Sequence, residues 1–206
     1  MVELSHPVTA FGLGVALGAA PGPVQLLLLS EASRGGFRRG LRAMAGANGT
    51  FGLYLLLLAA GLSSITPGAT FLRVVKVVGG AFLVFLAVDA FRESRRPVAT
   101  EEARAGLPPG ARGVLAVVLN PAVYVFLATT GAALVADAVH TGGRALAFVT
   151  VAAMLGGVAS VDGGMVLVAG GGAQRMSGRT LRLLGDVLAV GLGALGAWLV
   201  VRGVAG

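Results

Sequence analysis

Residues 18–49 read GAAPGPVQLLLLSEASRGGFRRGLRAMAGANG. The stretch starts inside a long apolar run and breaks it at Pro21-Gly22-Pro23. The run resumes as Leu26-Leu27-Leu28-Leu29, turns through a basic segment and enters a second apolar run holding Gly46, Asn48 and Gly49. Proline removes a backbone donor and clashes with the carbonyl one turn earlier, so Pro-Gly-Pro interrupts a helix. At membrane depth the freed backbone groups must be satisfied by protein, water or a bound solute. The stretch therefore predicts half of a transport site.

Composition sets the surroundings. The chain has 206 residues, 56% hydrophobic and 12% charged, with mean hydropathy +0.88. Soluble domains carry about 25% charged residues. Half that share, in apolar runs of about 20 residues, predicts an all-α polytopic membrane protein. The 34 glycines predict close helix packing. Cysteine is absent, which excludes disulfides and thiol chemistry. His6 and His140 both flank membrane segments, and neither a metal-ligand cluster nor a Ser/His/Asp set is visible. No metal and no cofactor are expected. The net charge of +7 sits in short loops between apolar runs, so it points to a lipid bilayer as partner and not to nucleic acid.

Six spans are predicted at roughly 8–30, 43–62, 71–91, 113–136, 145–170 and 183–202. One set of alternate loops carries Arg34, Arg38, Arg39 and Arg42, then Arg92, Arg95, Arg96, Arg104 and Arg112, then Arg175, Arg179 and Arg182. The other face has Arg73, Lys76, Arg144 and Arg202. The positive-inside rule then puts the basic loops in the cytoplasm and both termini outside. The loop arginines are read as topology signals and lipid-headgroup contacts. Met1–Pro7 has no basic n-region, so the first span is expected to be retained. The loop from Phe91 to Arg112 is read as a connector, 92–112, between two three-helix halves, 1–91 and 113–206. Three spans is an odd number, so the second half enters from the opposite side, the arrangement of an inverted repeat. The break at Pro21-Gly22-Pro23 in helix 1 is matched by Asn120-Pro121 in helix 4. Gly-rich helices 2 and 5 each carry one polar residue at depth, Asn48 and Asp162.

The candidate substrate-binding residues follow from these marks: Pro21, Gly22, Pro23, Gln25, Asn48, Asn120, Pro121 and Tyr124. A half-helix starting near Val24 would present free N–H groups and a positive dipole end, suited to a carboxylate. Asp162 stands in an otherwise apolar run, Val151 to Ala169. A charge at mid-depth costs at least ~2.5–3.5 kcal/mol on insertion scales, so it must be protonated, paired or wet. Such a group can load and release a proton or pair with a substrate ammonium. Asn48 and Gln25 are neutral and suit interhelical hydrogen bonds. Glu31 and Asp186 are placed near helix ends, with Arg182 and Asp186 paired at i, i+4. Trp198 reads as an interfacial anchor.

Together these segments resemble the LysE/RhtB-type family of bacterial amino-acid exporters over nearly the whole chain. The family pattern is similar to Pro21-Gly22-Pro23, to the loop Arg34-Gly35-Gly36-Phe37-Arg38-Arg39-Gly40-Leu41 and to Gly46-Ala47-Asn48-Gly49. It is similar again to Lys76-Val77-Val78-Gly79-Gly80-Ala81-Phe82-Leu83, to Asn120-Pro121-Ala122 and to Asp162. Ala122 stands where the family usually has lysine, which bears on the substrate class. The resemblance implies a bacterial inner-membrane location and a homodimer. It also implies a secondary exporter of a small solute, an amino acid or derivative, coupled to protons. Asp162 would take the ammonium or the proton, and the two halves would rock about a central site. An exporter of metal cations or other solutes is the alternative. An intramembrane aspartyl hydrolase using Asp162 and Asp186 is a remote one.

Overall fold

Helix α1 spans Ser5–Ala19, and α2 begins at Pro23 after Gly22 in extended backbone. Pro23 occupies the first helical turn, where its missing N–H breaks no helix bond. The computed structural model describes residues 5–20, 22–61, 69–94, 107–173 and 178–205, and the regular elements among them are helices. Pro21 lies outside the described residues.

Helix α2 continues to Ala59 and turns once, at Gly36, with φ 72° and ψ −173°. The basic segment expected as a loop is therefore helical on both sides of a one-residue corner. No proline stands between Glu31 and Arg42, and its alanine and arginines are good helix formers. Helix persists until the one residue whose backbone only glycine adopts cheaply. Helix α3 spans Ala69–Ser94.

The later part of the chain repeats this plan. Helix α4, Pro109–Val118, stops before Asn120, and α5 starts at Pro121 and runs to Phe126. A wide π-type turn, Leu127–Gly131, leads into α6, Ala132–Ala173. Helix α6 turns at Gly142 and Gly143, the latter with φ 69° and ψ −170°. The expected loop at 137–144 is thus helical up to its glycine corner. Helix α7 spans Gly178–Ala205.

Among the described residues, three stretches are long and apolar enough to cross a membrane: Pro23–Ala59, Pro121–Gly172 and Asp186–Ala205. Large apolar side chains such as Leu53, Val168, Val190 and Val201 face outward along them. Such a surface suits lipid and not water.

Close backbone crossings hold the helices together. A side chain at Gly14 would meet the Met154 carbonyl, and one at Gly157 the Phe11 carbonyl, so α1 lies directly on α6. Gly46 and Gly113 join α2 to α4 in the same way, against the carbonyls of Gly110 and Ala43. Without a hydrophobic force between helices in lipid, such close approach is what gains packing energy.

Two ion pairs fix the direction of the broken helices. His6 Nε2 lies 2.9 Å from Asp137 Oδ2, and Arg112 Nη1 lies 3.0 Å from Glu31 Oε1. His6 precedes Gly22 by 16 residues and Asp137 follows Asn120 by 17. Glu31 follows Gly22 by 9 residues and Arg112 precedes Asn120 by 8. The start of each broken helix therefore meets the far end of the other. The two run antiparallel, with their breaks side by side.

Candidate functional site

The two breaks open onto one cavity of about 440 Å³. Gly22, Pro23, Val24 and Gln25 line it from the first break, and Asn120, Pro121, Ala122 and Val123 from the second. Asn48 and Asp162 supply polar groups from α2 and α6. Most of the remaining wall is apolar, including Leu17, Phe51, Phe126 and Leu199. The substrate-binding residues expected from sequence thus come together, apart from Tyr124 and the undescribed Pro21.

Asp162 has no exposed surface. Gln25 and Asn48 are its polar neighbours. Yet neither carboxylate oxygen, nor the Asn48 Nδ2, has a hydrogen-bond partner among the described residues. Buried polar groups in native proteins are nearly always paired, so this set has room for a donor or positive charge at Asp162 and for an acceptor at the Asn48 Nδ2.

The two helix ends at the cavity differ. In α2 the first helical bond runs from the Leu26 N–H to the Gly22 carbonyl at 3.0 Å, and no side chain caps the end. The amides of Val24 and Gln25 lie ahead of that bond. In α5 the Asn120 Oδ1 accepts from the Ala122 N–H at 3.1 Å, and the Asn120 carbonyl accepts from the Val123 N–H at 3.1 Å. The second break therefore satisfies its own donors.

Tyr124 is also spent locally. Its hydroxyl donates to the Val118 carbonyl at 2.5 Å, closing the end of α4, and lies 3.4 Å from the Tyr54 hydroxyl. Its ring meets Phe71 edge-on, and it is not part of the cavity wall. Of the expected substrate-binding residues, Tyr124 is thus placed outside the cavity wall, with its hydroxyl on a carbonyl freed by the break.

Residues 15–203 match the family model described as LysE type translocator. The chain belongs to that family. No curated protein and no solved structure matches it. As a LysE-type translocator it is a membrane transporter.

Two features of this translocator escaped the sequence reading. Lys76, expected near a membrane face, lines the cavity half-buried. Gly79, whose side-chain position is filled by the Leu119 carbonyl, lies three residues further along α3. Residues three apart share a helix face, so Lys76 points at the same break. The other feature is Glu31. It is 1% exposed, with Arg39 Nε at 2.6 Å from one carboxylate oxygen and Arg112 Nη1 at 3.0 Å from the other. Arg112 also donates from Nε to the Leu107 carbonyl at 2.8 Å. Arg39 and Arg112 are each 5% exposed, so these two arginines are interior ion partners and do not face lipid headgroups. One partner of Glu31, Arg112, stands 81 residues away, which no local spacing rule reaches.

Proposed function

We propose that this translocator exports a small solute bearing both an ammonium and a carboxylate, an amino acid or a derivative of one. The observation that carries this reading is the pairing of Asp162 with Lys76 in one cavity whose wall is otherwise mostly apolar. Asp162, unpartnered and buried, suits the ammonium. Lys76 and the uncapped amides of Val24 and Gln25 suit the carboxylate. Ala122 offers no charge, so Lys76 is the cation available at this wall. A cavity of about 440 Å³ lies within the range for small-molecule sites.

Transport by alternating access follows from an inverted repeat, 1–91 and 113–206, joined by the connector 92–112. The antiparallel broken helices and the repeated order of break and glycine corner support this reading. Asp162 is the candidate proton carrier, because it can meet either a proton or the ammonium but not both. The protein acts in this reading as a carrier in the inner membrane, with both termini outside, and not as an enzyme. Asp186, the second carboxylate a hydrolase would need, is not in the cavity wall.

Efflux from proteoliposomes loaded with a solute panel is the test. Amino acids should leave faster than their decarboxylated or N-acylated analogues. Equal movement of singly charged analogues would rule out recognition of both ends.

A further inference from the structure

We propose that the buried network of Glu31, Arg39 and Arg112 is the latch that closes the cavity toward the face bearing the first basic segment. The proposal rests on the alternating-access reading, but not on the identity of the solute.

The network lies beyond the cavity, not in it. Gln25 is in the cavity wall, and Glu31 follows it by six residues on the same helix, roughly 9 Å further along. On the other helix Arg112 precedes Asn120 by about 12 Å of rise. Beside the network, a plug of Leu28, Ala32, Ala43 and Val166, none with exposed surface, packs against Val24 of the cavity wall. Plug and network together seal this side.

The opposite side is joined differently. There the antiparallel helices meet through His6 and Asp137, whose side chains are 13% and 70% exposed. For Arg112 and Glu31 the figures are 6% and 1%. The cavity wall also extends toward that second side, through Leu17, Lys76 and Trp198. One end is thus sealed by buried charge and the other is held by a solvated pair. That is the arrangement of a transporter caught open to one face.

A buried charge pair is a good latch because it has two states of comparable worth. Closed, the two arginines repay the desolvation of Glu31; parted, all three groups regain water. Arg112 stands on α4 and Arg39 on α2 beyond the Gly36 corner, where glycine crossings hold those two helices together, while Glu31 stands on α2 before that corner, so parting the network swings the first part of α2 away from α4 on this face. A lost partner leaves a buried unpaired charge in the closed state alone, which shifts the population toward the open one.

The chain has no cysteine, so single cysteines report access directly. Val166→Cys probes the plug and Leu17→Cys the opposite mouth, with an impermeant thiol reagent applied to each side of oriented vesicles. No solute is added, so failure of the solute reading leaves this measurement untouched. With Glu31 intact, Val166→Cys should resist the reagent from both sides, and Leu17→Cys should react from the face opposite the network. In Glu31→Gln, Val166→Cys should react about tenfold faster from the network's face while Leu17→Cys slows, as a population shift requires. Glu31→Asp, too short to reach both arginines, should move both rates the same way by less. Both rates rising together would mean general loosening and would overturn the latch. So would unchanged protection of Val166→Cys, or failure of both variants to reach a folded, monodisperse state, since the network would then be structural.

Discussion

Gly36 and Gly143 hold the same backbone conformation, φ 72° and ψ −173° in one and φ 69° and ψ −170° in the other. Each turns a long helix a short way past a proline break. Neither has an atom within 4 Å of where a side chain would start. Alanine at either position is therefore penalised by backbone strain alone, of order 1–3 kcal/mol in a region that is essentially glycine-only. Gly49 has the same open surroundings but ordinary helical backbone. Unfolding in mixed detergent should show Gly36→Ala and Gly143→Ala destabilised, and Gly49→Ala neutral or slightly stabilised. Equal behaviour of all three would refute the corner conformation.

Asp162→Asn should assemble normally, because the amide fits the same space. On the coupling proposal it should lose proton-driven efflux while keeping solute exchange, which needs binding and movement but no net proton release. Asp186→Asn should change little. The measurement is efflux and counterflow in proteoliposomes across a pH series. Unaltered proton-driven efflux in Asp162→Asn would leave the residue structural and the mechanism without its carrier.

Lys76→Met should raise the half-saturating concentration of a zwitterionic solute by about tenfold or more, the size of a lost charged hydrogen bond. Lys76→Arg should retain most of the affinity. The matching amine, which lacks the carboxylate, should not distinguish Lys76→Met from the parent. A loss for the amine as large as for the amino acid would place Lys76 in packing, not recognition.

Asn120→Ala removes the side chain that caps α5 at the Ala122 amide. Loss of such a cap costs about 1 kcal/mol. Thermal unfolding should report that cost, and Asn120→Asp, which keeps the acceptor, should recover most of it. Gln25→Ala should instead leave stability nearly intact and weaken transport. If Asn120→Ala unfolds like the parent, the second break is not self-satisfied.

The basic loops predict both termini on the outer side. Cysteines at Val2 and Ala205, on this cysteine-free background, should react with an impermeant reagent in intact cells. Labelling only after lysis would overturn the orientation.

The legible parts of the site were those that violate a local rule. Pro23, Pro121 and Asp162 each break the habit of an apolar helix, and each is found at the cavity. The corner at Gly36 was not legible, because Gly35, Gly36 and Gly40 look alike until the backbone shows which takes the left-handed turn. Glu31 was misread as a helix-end charge because its burial depends on Arg112 from a distant segment. The place of Tyr124 outside the cavity wall was not legible for a related reason. Proximity in sequence to a break does not say whether a hydroxyl faces the cavity or closes the helix end behind it. Lys76 could have been found, since its three-residue spacing from Gly79 marks a face that meets another backbone.

The glycine crossings have a mechanical consequence. They bind α1 to α6 and the part of α2 beyond Gly36 to α4, so each of these crossings joins an earlier helix to a later one. A movement that keeps them would carry each earlier helix with its later partner. Its pivots would fall where α1 passes into α2 and where α4 passes into α5. Those pivots are Gly22 and Asn120, which are also part of the cavity wall. Cargo in this chamber would press on the hinges themselves, and no relay to a distant pivot would be needed.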